Sequence, residues 1–223
     1  MKQLGVTHLL SISAVGSLSE RLPPRSLAAP DQIIDRTVAR PRTFFDGAIV
    51  AHVGIAEPFC PLLRERLAGA AASVGLHVHD GGTYVCIEGP QFSTKAESTL
   101  YRSWGADLIG MTAMPEARLA REAEMCCGLL AFATDYDCWR PAPAGRSKDA
   151  LLAEIIQHVK AATERAVEVL RTTVTELARA PESEPAACSC RSSLALGIWT
   201  RRDAISKEVV ERYGPLVEKY LAR

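Results

Sequence analysis

The chain has 223 residues, 48% of them hydrophobic, which is enough material for one domain with a sizeable core. Its 26 basic residues balance 26 acidic ones, which argues against a broad nucleic-acid surface, and no apolar run approaches the ~20 residues of a membrane helix. Residues 1–5 carry no signal-peptide hydrophobic region, and the seven cysteines are scattered and odd in number. We therefore expect a cytoplasmic protein with reduced thiols.

Short apolar runs alternate with helical patterns along the chain. In chain order the patterns predict a strand over residues 7–13, a helix over 61–74, a strand over 83–87, a helix over 94–105, a strand over 107–111, a helix over 115–125, a strand over 128–134, a long helix over about 147–177, a loop over 181–193, and a last helix over 205–221 interrupted at Gly214 and Pro215. Thr94 and Glu97 have capping-box spacing.

The alternation of strands and helices predicts a single α/β domain with a central mixed, largely parallel sheet flanked by helices. We divide it into a core over residues 1–180, a loop over 181–193, and a terminal strand and helix segment of the same domain over 194–223. Because the first strand follows Met1 almost at once, we expect the domain to be N-terminally incomplete. In such sheets a ligand binds at the carboxyl ends of the strands.

Two carboxylates, Asp135 and Asp137, follow the apolar run 129–132. Their spacing places both on one side of the chain at the mouth of a predicted buried strand. Charged side chains are costly to bury there without a partner, and bases, amines and metals are such partners. A plain turn after a strand is the alternative.

Three further segments end predicted strands with chemically useful residues. Residues 11–17 are small and contain a glycine, so their N–H and hydroxyl groups could cradle an anion, although a plain loop is the alternative. Residues 88–93 offer an acid, a sharp turn and Phe92, which could stack on a base or simply belong to the core. Residues 110–116 form a strand-to-helix junction where Thr112 could bind phosphate or only cap a helix.

The order of these motifs resembles a known family. The sequence contains Ser-Ala-x-Gly-Ser, Asp-Arg-Thr, Ala-Glu-Pro-Phe-Cys, Ile-Glu-Gly-Pro-x-Phe-Ser, Gly-Ala-Asp-x-Ile-x-Met-Thr and Ala-Thr-Asp-Tyr-Asp-Cys-Trp. Over nearly the whole chain they resemble the S-methyl-5'-thioadenosine phosphorylases of the trimeric purine nucleoside phosphorylase family. The resemblance implies a nucleoside phosphorylase-like fold and a pentosyltransferase that converts S-methyl-5'-thioadenosine and phosphate to adenine and 5-methylthioribose 1-phosphate in purine and methionine salvage. A general purine nucleoside phosphorylase and a catalytically impaired nucleoside-binding fragment are the alternatives.

The resemblance also implies a role for each residue of the nucleoside site. Asp135 would act as the general acid at purine N7, Asp137 would accept from the 6-amino group, Phe92 would stack on the base and Met111 would pack under the ribose. Phosphate would be held by Ser13, the N–H of Ala14, and Thr112. No metal or organic cofactor is implied, and inorganic phosphate is the co-substrate.

The base and the 5' substituent can be considered separately. Relatives that act on 6-oxopurines carry Glu and Asn where this chain has Ser93 and Asp135, so this pair favours adenine, because an aspartate acceptor attracts an amine and repels a carbonyl. The 5' pocket is implied to include Leu151 and Leu152, or these are plain core residues. His52 and Phe59 would come from a neighbouring subunit of a homotrimer, although His52 reads equally as an exposed loop residue.

Four features depart from the pattern or lie outside it. Relatives carry further chain before the position of Met1, with a glycine-rich phosphate loop and an Arg-His pair, so we expect an incomplete phosphate site and an aggregation-prone chain. Lys148 stands where relatives have an apolar residue.

Cys188 and Cys190 form either a labile disulfide or two free thiols, and Cys126 and Cys127 are assigned to the core. Zinc is disfavoured because no cysteine or histidine pairs show ligand spacing.

Overall fold

The structure is a computed structural model that describes residues 1–141, 148–180 and 188–221. Within these ranges the chain builds a sheet of seven strands in the order β3-β5-β6-β1-β7-β2-β4. The strands are β1 (His8–Ser17), β2 (Leu27–Ala29), β3 (Gln32–Arg36), β4 (Val78–Asp80), β5 (Thr83–Ile87), β6 (Leu108–Gly110) and β7 (Cys126–Tyr136).

The sheet is mixed and largely parallel, as the sequence predicts. Four of its strand pairs are parallel, and the pairs β1–β6 and β2–β7 are antiparallel. The centre is the long parallel pair β1–β7, whose register shifts between Val15 and Gly16 and then sets Gly16 opposite Asp135. Strand β7 is buried from Cys126 to Thr134, which explains its unbroken apolar run, because helices or loops cover both faces of a central parallel strand.

Helices cover the sheet on both sides. They are α1 (Pro61–Ser73), α2 (Lys95–Ser103), α3 (Glu116–Glu122), α4 (Lys148–Arg179), α5 (Lys207–Tyr213) and α6 (Glu218–Leu221). Helices α1 and α4 pack against β7 and β2 through one apolar cluster that includes Leu67, Phe132 and Val169. Helix α3 belongs to a second cluster, which contains Val15, Tyr84 and Leu129. None of the described helices is long and apolar enough to cross a bilayer.

The predicted strands over 7–13, 83–87, 107–111 and 128–134 are confirmed, and β1 and β7 extend further than predicted. Strands β2, β3 and β4 were not predicted. The predicted last helix is two helices separated by the short 3-10 helix Gly214–Leu216, at the predicted interruption. In place of the expected strand after residue 194, the described residues form one isolated bridge between Ala51 and Ile198. Residues 181–187 and the predicted cap Ser147 lie outside the described residues.

Candidate active site

A cavity of about 600 Å³ opens where the ends of β1, β5, β6 and β7 meet. It is lined by seven of the residues that the sequence predicted for the site, namely Ala14, Phe92, Ser93, Met111, Thr112, Asp135 and Asp137. Helix α4 adds Ile155 and Val159. The register of the central strand pair explains the convergence, because it sets the end of β1 beside the end of β7.

Asp135 occupies a half-buried position at the end of β7. Removal from water raises the pKa of this carboxyl, and the nearby charge of Asp137 raises it further. Two groups lower the pKa: Thr134 Oγ1, which donates a hydrogen bond to Asp135 Oδ1 at 2.5 Å, and His158. The ring Nδ1 of His158 lies 2.9 Å from the carbonyl oxygen of Thr134, which connects α4 to this turn. A carboxyl that holds its proton longer is suited to donate it, which is compatible with the general-acid role that the sequence predicts for Asp135.

Asp137 is buried two residues further along the chain. Its backbone N–H donates to the carbonyl of Ser17 at 3.0 Å, which fixes the segment after β7 to the end of β1. Ser93 Oγ donates to Asp137 Oδ2 at 2.7 Å. Ser93 and Asp135, the two positions that the sequence associates with a preference for adenine, both line the cavity, and the serine hydroxyl bonds Asp137. This bond orients the Asp137 carboxylate as an acceptor at the cavity wall.

Three hydroxyls meet beside the carboxylates. Ser13 Oγ lies 2.8 Å from Thr112 Oγ1 and 3.0 Å from the hydroxyl of Tyr84, which also accepts from the N–H of Thr112 at 3.3 Å. Ser13 itself is buried, and Thr112 is exposed to the cavity. A Cβ on Gly110 would lie 2.0 Å from the Tyr84 hydroxyl, so only glycine admits this cluster. Of the two hydroxyls predicted to hold phosphate, that of Thr112 therefore reaches the cavity, whereas that of Ser13 is buried and bonds Thr112 and Tyr84.

Tyr84 and Arg40 are site-building residues that the sequence did not predict. Arg40 donates to the carbonyls of Met111 at 2.6 Å, Glu88 at 2.9 Å and Met114, and its Nε lies 3.3 Å from Glu88 Oε1. It thereby joins the loop after β5 to the loop after β6. Tyr84 lies in a predicted strand, where an aromatic residue is expected in the core, and Arg40 lies in a loop without periodicity. The sequence pattern therefore did not indicate that either residue belongs to the site.

The remaining predicted residues are placed differently. Phe92 lies at the rim of the cavity with 85% of its surface exposed, which leaves its ring free for a base. His52 is exposed and packs edge-on against Trp199, away from the cavity of its own chain. Phe59 is buried in the core cluster beside α3, so the expectation that it reaches a neighbouring subunit is wrong. The side chains of Leu151 and Leu152 lie outside the part of the chain that is described.

The model of the phosphorylase superfamily matches residues 1–175. This chain belongs to that family. It is 47% identical over 222 residues to the S-methyl-5'-thioadenosine phosphorylase of Geobacter sulfurreducens, with 99% of this chain and 74% of the relative covered. The corresponding enzyme of Gloeobacter violaceus is 46% identical over 228 residues, covering 100% of this chain and 73% of the relative.

Solved structures show the same relationship. The crystal structure of a methylthioadenosine phosphorylase from an antarctic soil metagenomic library has a TM-score of 0.86 and 42% identity, covering 96% of this chain and 73% of that one. Methylthioadenosine phosphorylase from Schistosoma mansoni in complex with adenine has a TM-score of 0.78 and 29% identity, covering 89% of this chain and 75% of that one. The resemblance to S-methyl-5'-thioadenosine phosphorylases and the nucleoside phosphorylase fold are thereby confirmed.

Proposed function

We propose that this protein catalyses the phosphorolysis of S-methyl-5'-thioadenosine to adenine and 5-methylthioribose 1-phosphate, a salvage reaction. The observation that carries the proposal is the convergence of Asp135 and Asp137 in one cavity. Burial is the largest cause of the raised pKa of Asp135. The relatives of this chain carry the name of this activity.

The reaction follows from the residue types. A phosphate oxygen attacks C1' of the ribose, the bond from C1' to N9 breaks, and its electron pair passes to the purine. The departing base needs a proton at N7, and Asp135 supplies it. Phosphate is held by Ser13, the N–H of Ala14, and Thr112, whose hydroxyls already face one another at 2.8 Å. This chemistry requires no metal or organic cofactor.

Base and sugar selection are assigned to the walls of the cavity. Asp137, oriented by Ser93, accepts from the exocyclic amine of adenine and would repel the carbonyl oxygen of a 6-oxopurine. Phe92 stacks on the base, and Met111 packs under the ribose. Ile155 and Val159 give the cavity an apolar side, which suits a methylthio group better than a hydroxyl.

The proposal includes a homotrimer in which His52 completes the site of the neighbouring subunit. Its supporting observation is that His52 is exposed and lies outside its own cavity. The cytoplasmic location expected from the reduced cysteines stays a prediction.

The direct test is incubation of the purified protein with S-methyl-5'-thioadenosine, with and without phosphate, followed by chromatography of the released base. Adenine released only when phosphate is present is the expected result, with S-methyl-5'-thioadenosine preferred over adenosine and both preferred over inosine. Adenine that binds without turnover would contradict the proposal and favour a nucleoside-binding protein. Equal use of adenosine and inosine would favour a general purine nucleoside phosphorylase.

A further inference from the structure

Four cysteines far apart in the sequence converge on one point away from the nucleoside cavity. Cys60 caps the N-terminus of α1, Cys126 begins β7, and Cys188 and Cys190 flank the start of the short 3-10 helix Ser189–Ser192. Their four Sγ atoms all lie within 4.8 Å of one another. The Sγ of Cys188 is 3.6 Å from that of Cys60 and 3.6 Å from that of Cys126.

These separations match the edges of a metal-centred tetrahedron. Zinc bound to four thiolates has Zn–S distances of about 2.3 Å, which places the sulfur atoms ~3.8 Å apart. Disulfide bonds would instead draw the thiols into two pairs at about 2 Å, and one sulfur would not be equally close to two others. Ordinary core cysteines pack among apolar side chains and have no reason to direct four thiols at a common centre.

A buried cation lies beside the thiols. Arg121, only 8% exposed, donates from Nη1 to Cys190 Sγ at 3.3 Å and from Nη2 to the carbonyl of Glu57. Cys60 stands at the positive end of the α1 dipole, so Arg121 and the helix both place positive charge beside the four sulfur atoms.

An apolar shell separates the cluster from water. Leu63 is fully buried beside it, and Leu10, Leu62 and Leu177 pack around it. Three of the four cysteines are buried, and Cys188 is partly accessible. Exclusion of water strengthens the bonds between a cation and thiolates, and the partly open side at Cys188 gives a path for the ion.

We propose that Cys60, Cys126, Cys188 and Cys190 bind one zinc ion in a structural site. This reverses the sequence expectation against zinc, because the four ligands come from three segments that are distant along the chain and meet only in the fold. Four thiols lose their protons to solvent as the four Zn–S bonds form, which leaves two net negative charges, one of them offset by Arg121. The ion would fasten the segment after residue 188 to the start of α1 and the start of β7. Thiolate ligands favour zinc over the oxygen-seeking cations magnesium and calcium, and its four-coordinate closure suits a structural rather than a catalytic role.

The test measures metal binding by the full chain, purified under reducing conditions without air. Zinc content is determined by elemental analysis, and affinity by competition with a chromogenic chelator. Cobalt(II), added to the metal-free protein, serves as a coloured probe of coordination. We expect one zinc per chain, and we expect cobalt to give the intense visible bands and sulfur charge-transfer absorption of a tetrahedral thiolate site.

Two matched variants distinguish the loss of a zinc ligand from the loss of an ordinary buried cysteine. Cys190→Ser should weaken zinc binding by on the order of a hundredfold or more, because three thiolates remain. Cys127→Ser, one residue along β7 and packed in the other core cluster, should bind zinc like the parent chain. Absence of stoichiometric zinc and of the cobalt spectrum in the parent chain would overturn the proposal. The proposal would also be overturned if intact masses showed two disulfides in a chain that takes up no cobalt after reduction. Equal losses of zinc affinity in the two variants would overturn it as well.

Discussion

Asp135 and Asp137 are two carboxylates in one cavity with different surroundings. Burial and the nearby negative charge of Asp137 both raise the pKa of Asp135. The Asp137 side chain instead accepts a hydrogen bond from the Ser93 hydroxyl, and its backbone N–H bonds to the end of β1. A carboxyl that retains a proton can act as an acid, and one that is held as an acceptor can recognise an amine. The division of roles thus follows from environment, because the residue types are the same.

Replacing Asp135 with asparagine tests the acid. Asp135→Asn should raise the barrier for 6-aminopurine nucleosides by at least ~2 kcal/mol in kcat/KM, because the proton donor is lost. Use of inosine analogues should rise relative to adenosine, because the amide N–H of asparagine at this position can donate to the carbonyl oxygen next to N7 of a 6-oxopurine, which a carboxylate cannot. Steady-state kinetics on both nucleosides measure the effect. An unchanged preference ratio would remove Asp135 from base recognition.

The raised pKa of Asp135 also predicts a pH dependence of stability. Below 3.8, the ordinary pKa of an aspartate, the carboxyl is protonated in both folded and unfolded chains and contributes nothing to the difference in their free energies. As the pH rises above 3.8, the unfolded chain ionises first, so the free energy of unfolding falls until the folded carboxyl ionises too. Asp135→Asn should remove this decline.

Urea unfolding of the parent chain and the variant from pH 4 to pH 7 measures the decline. The unfolding free energy of Asp135→Asn, relative to that of the parent chain, should increase as the pH rises and then become constant. Asp203→Asn, at an exposed position, provides a control for the general effect of removing one carboxylate. Parallel curves for the parent chain and Asp135→Asn would contradict the prediction.

At the scale of an element, helix α2 holds part of the site in place. Its capping box joins the N–H of Thr94 to Glu97 Oε2 at 2.7 Å and the N–H of Glu97 to Thr94 Oγ1 at 3.2 Å. Phe92 and Ser93 immediately precede this cap. The helix start therefore fixes the position of the ring at the rim and of the hydroxyl that bonds Asp137.

Thr94→Ala should cost about 1 kcal/mol of stability, because the N–H of Glu97 loses its acceptor at the helix start. Since the adjacent Ser93 and Phe92 become less constrained, we expect KM for the nucleoside to rise more than kcat falls. Thr94→Ser retains the hydroxyl and should behave like the parent chain. Equal KM values for the alanine and serine variants would show that the cap does not position the site.

At the scale of the whole molecule, an apolar strip surrounds His52. Leu196 is 93% exposed and Trp199 69% exposed, and backbone bonds from His52 to Gly197 and from Trp199 to Val50 tie the strip together. Large exposed side chains grouped in this way are typical of interaction surfaces. We assign this strip to the proposed trimer interface.

Leu196→Glu should shift the protein from trimer toward monomer, because a charge would be buried in the interface. The KM for the nucleoside should rise at the same time, since His52 would leave the neighbouring site. Analytical ultracentrifugation at micromolar concentration measures the first effect and kinetics the second. Val174→Glu, a half-exposed position on α4, is the matched control. A monomeric parent chain with full phosphorolytic activity would refute the interface.

Local patterns in the sequence were sufficient for the main elements and for most of the cavity. Long apolar runs predicted β1 and β7. Asp135 and Asp137 stood out at the end of β7, and Phe92 and Thr112 stood out after β5 and β6. Short strands such as β2 left no such pattern. Arg40 could not be predicted either, because its role consists of bonds to carbonyl groups some 47 to 74 residues away.

The sequence by itself determined the α/β class, the family and the chemistry available at the strand ends, because these depend on residue type and local spacing. Only the tertiary structure decided which side chains meet. It paired Ser93 with Asp137, placed Tyr84 between Ser13 and Thr112, buried Phe59, and gathered Cys60, Cys126, Cys188 and Cys190 around one point. The physical reason is that strand order and register bring together residues whose separation along the chain carries no information about their distance in space.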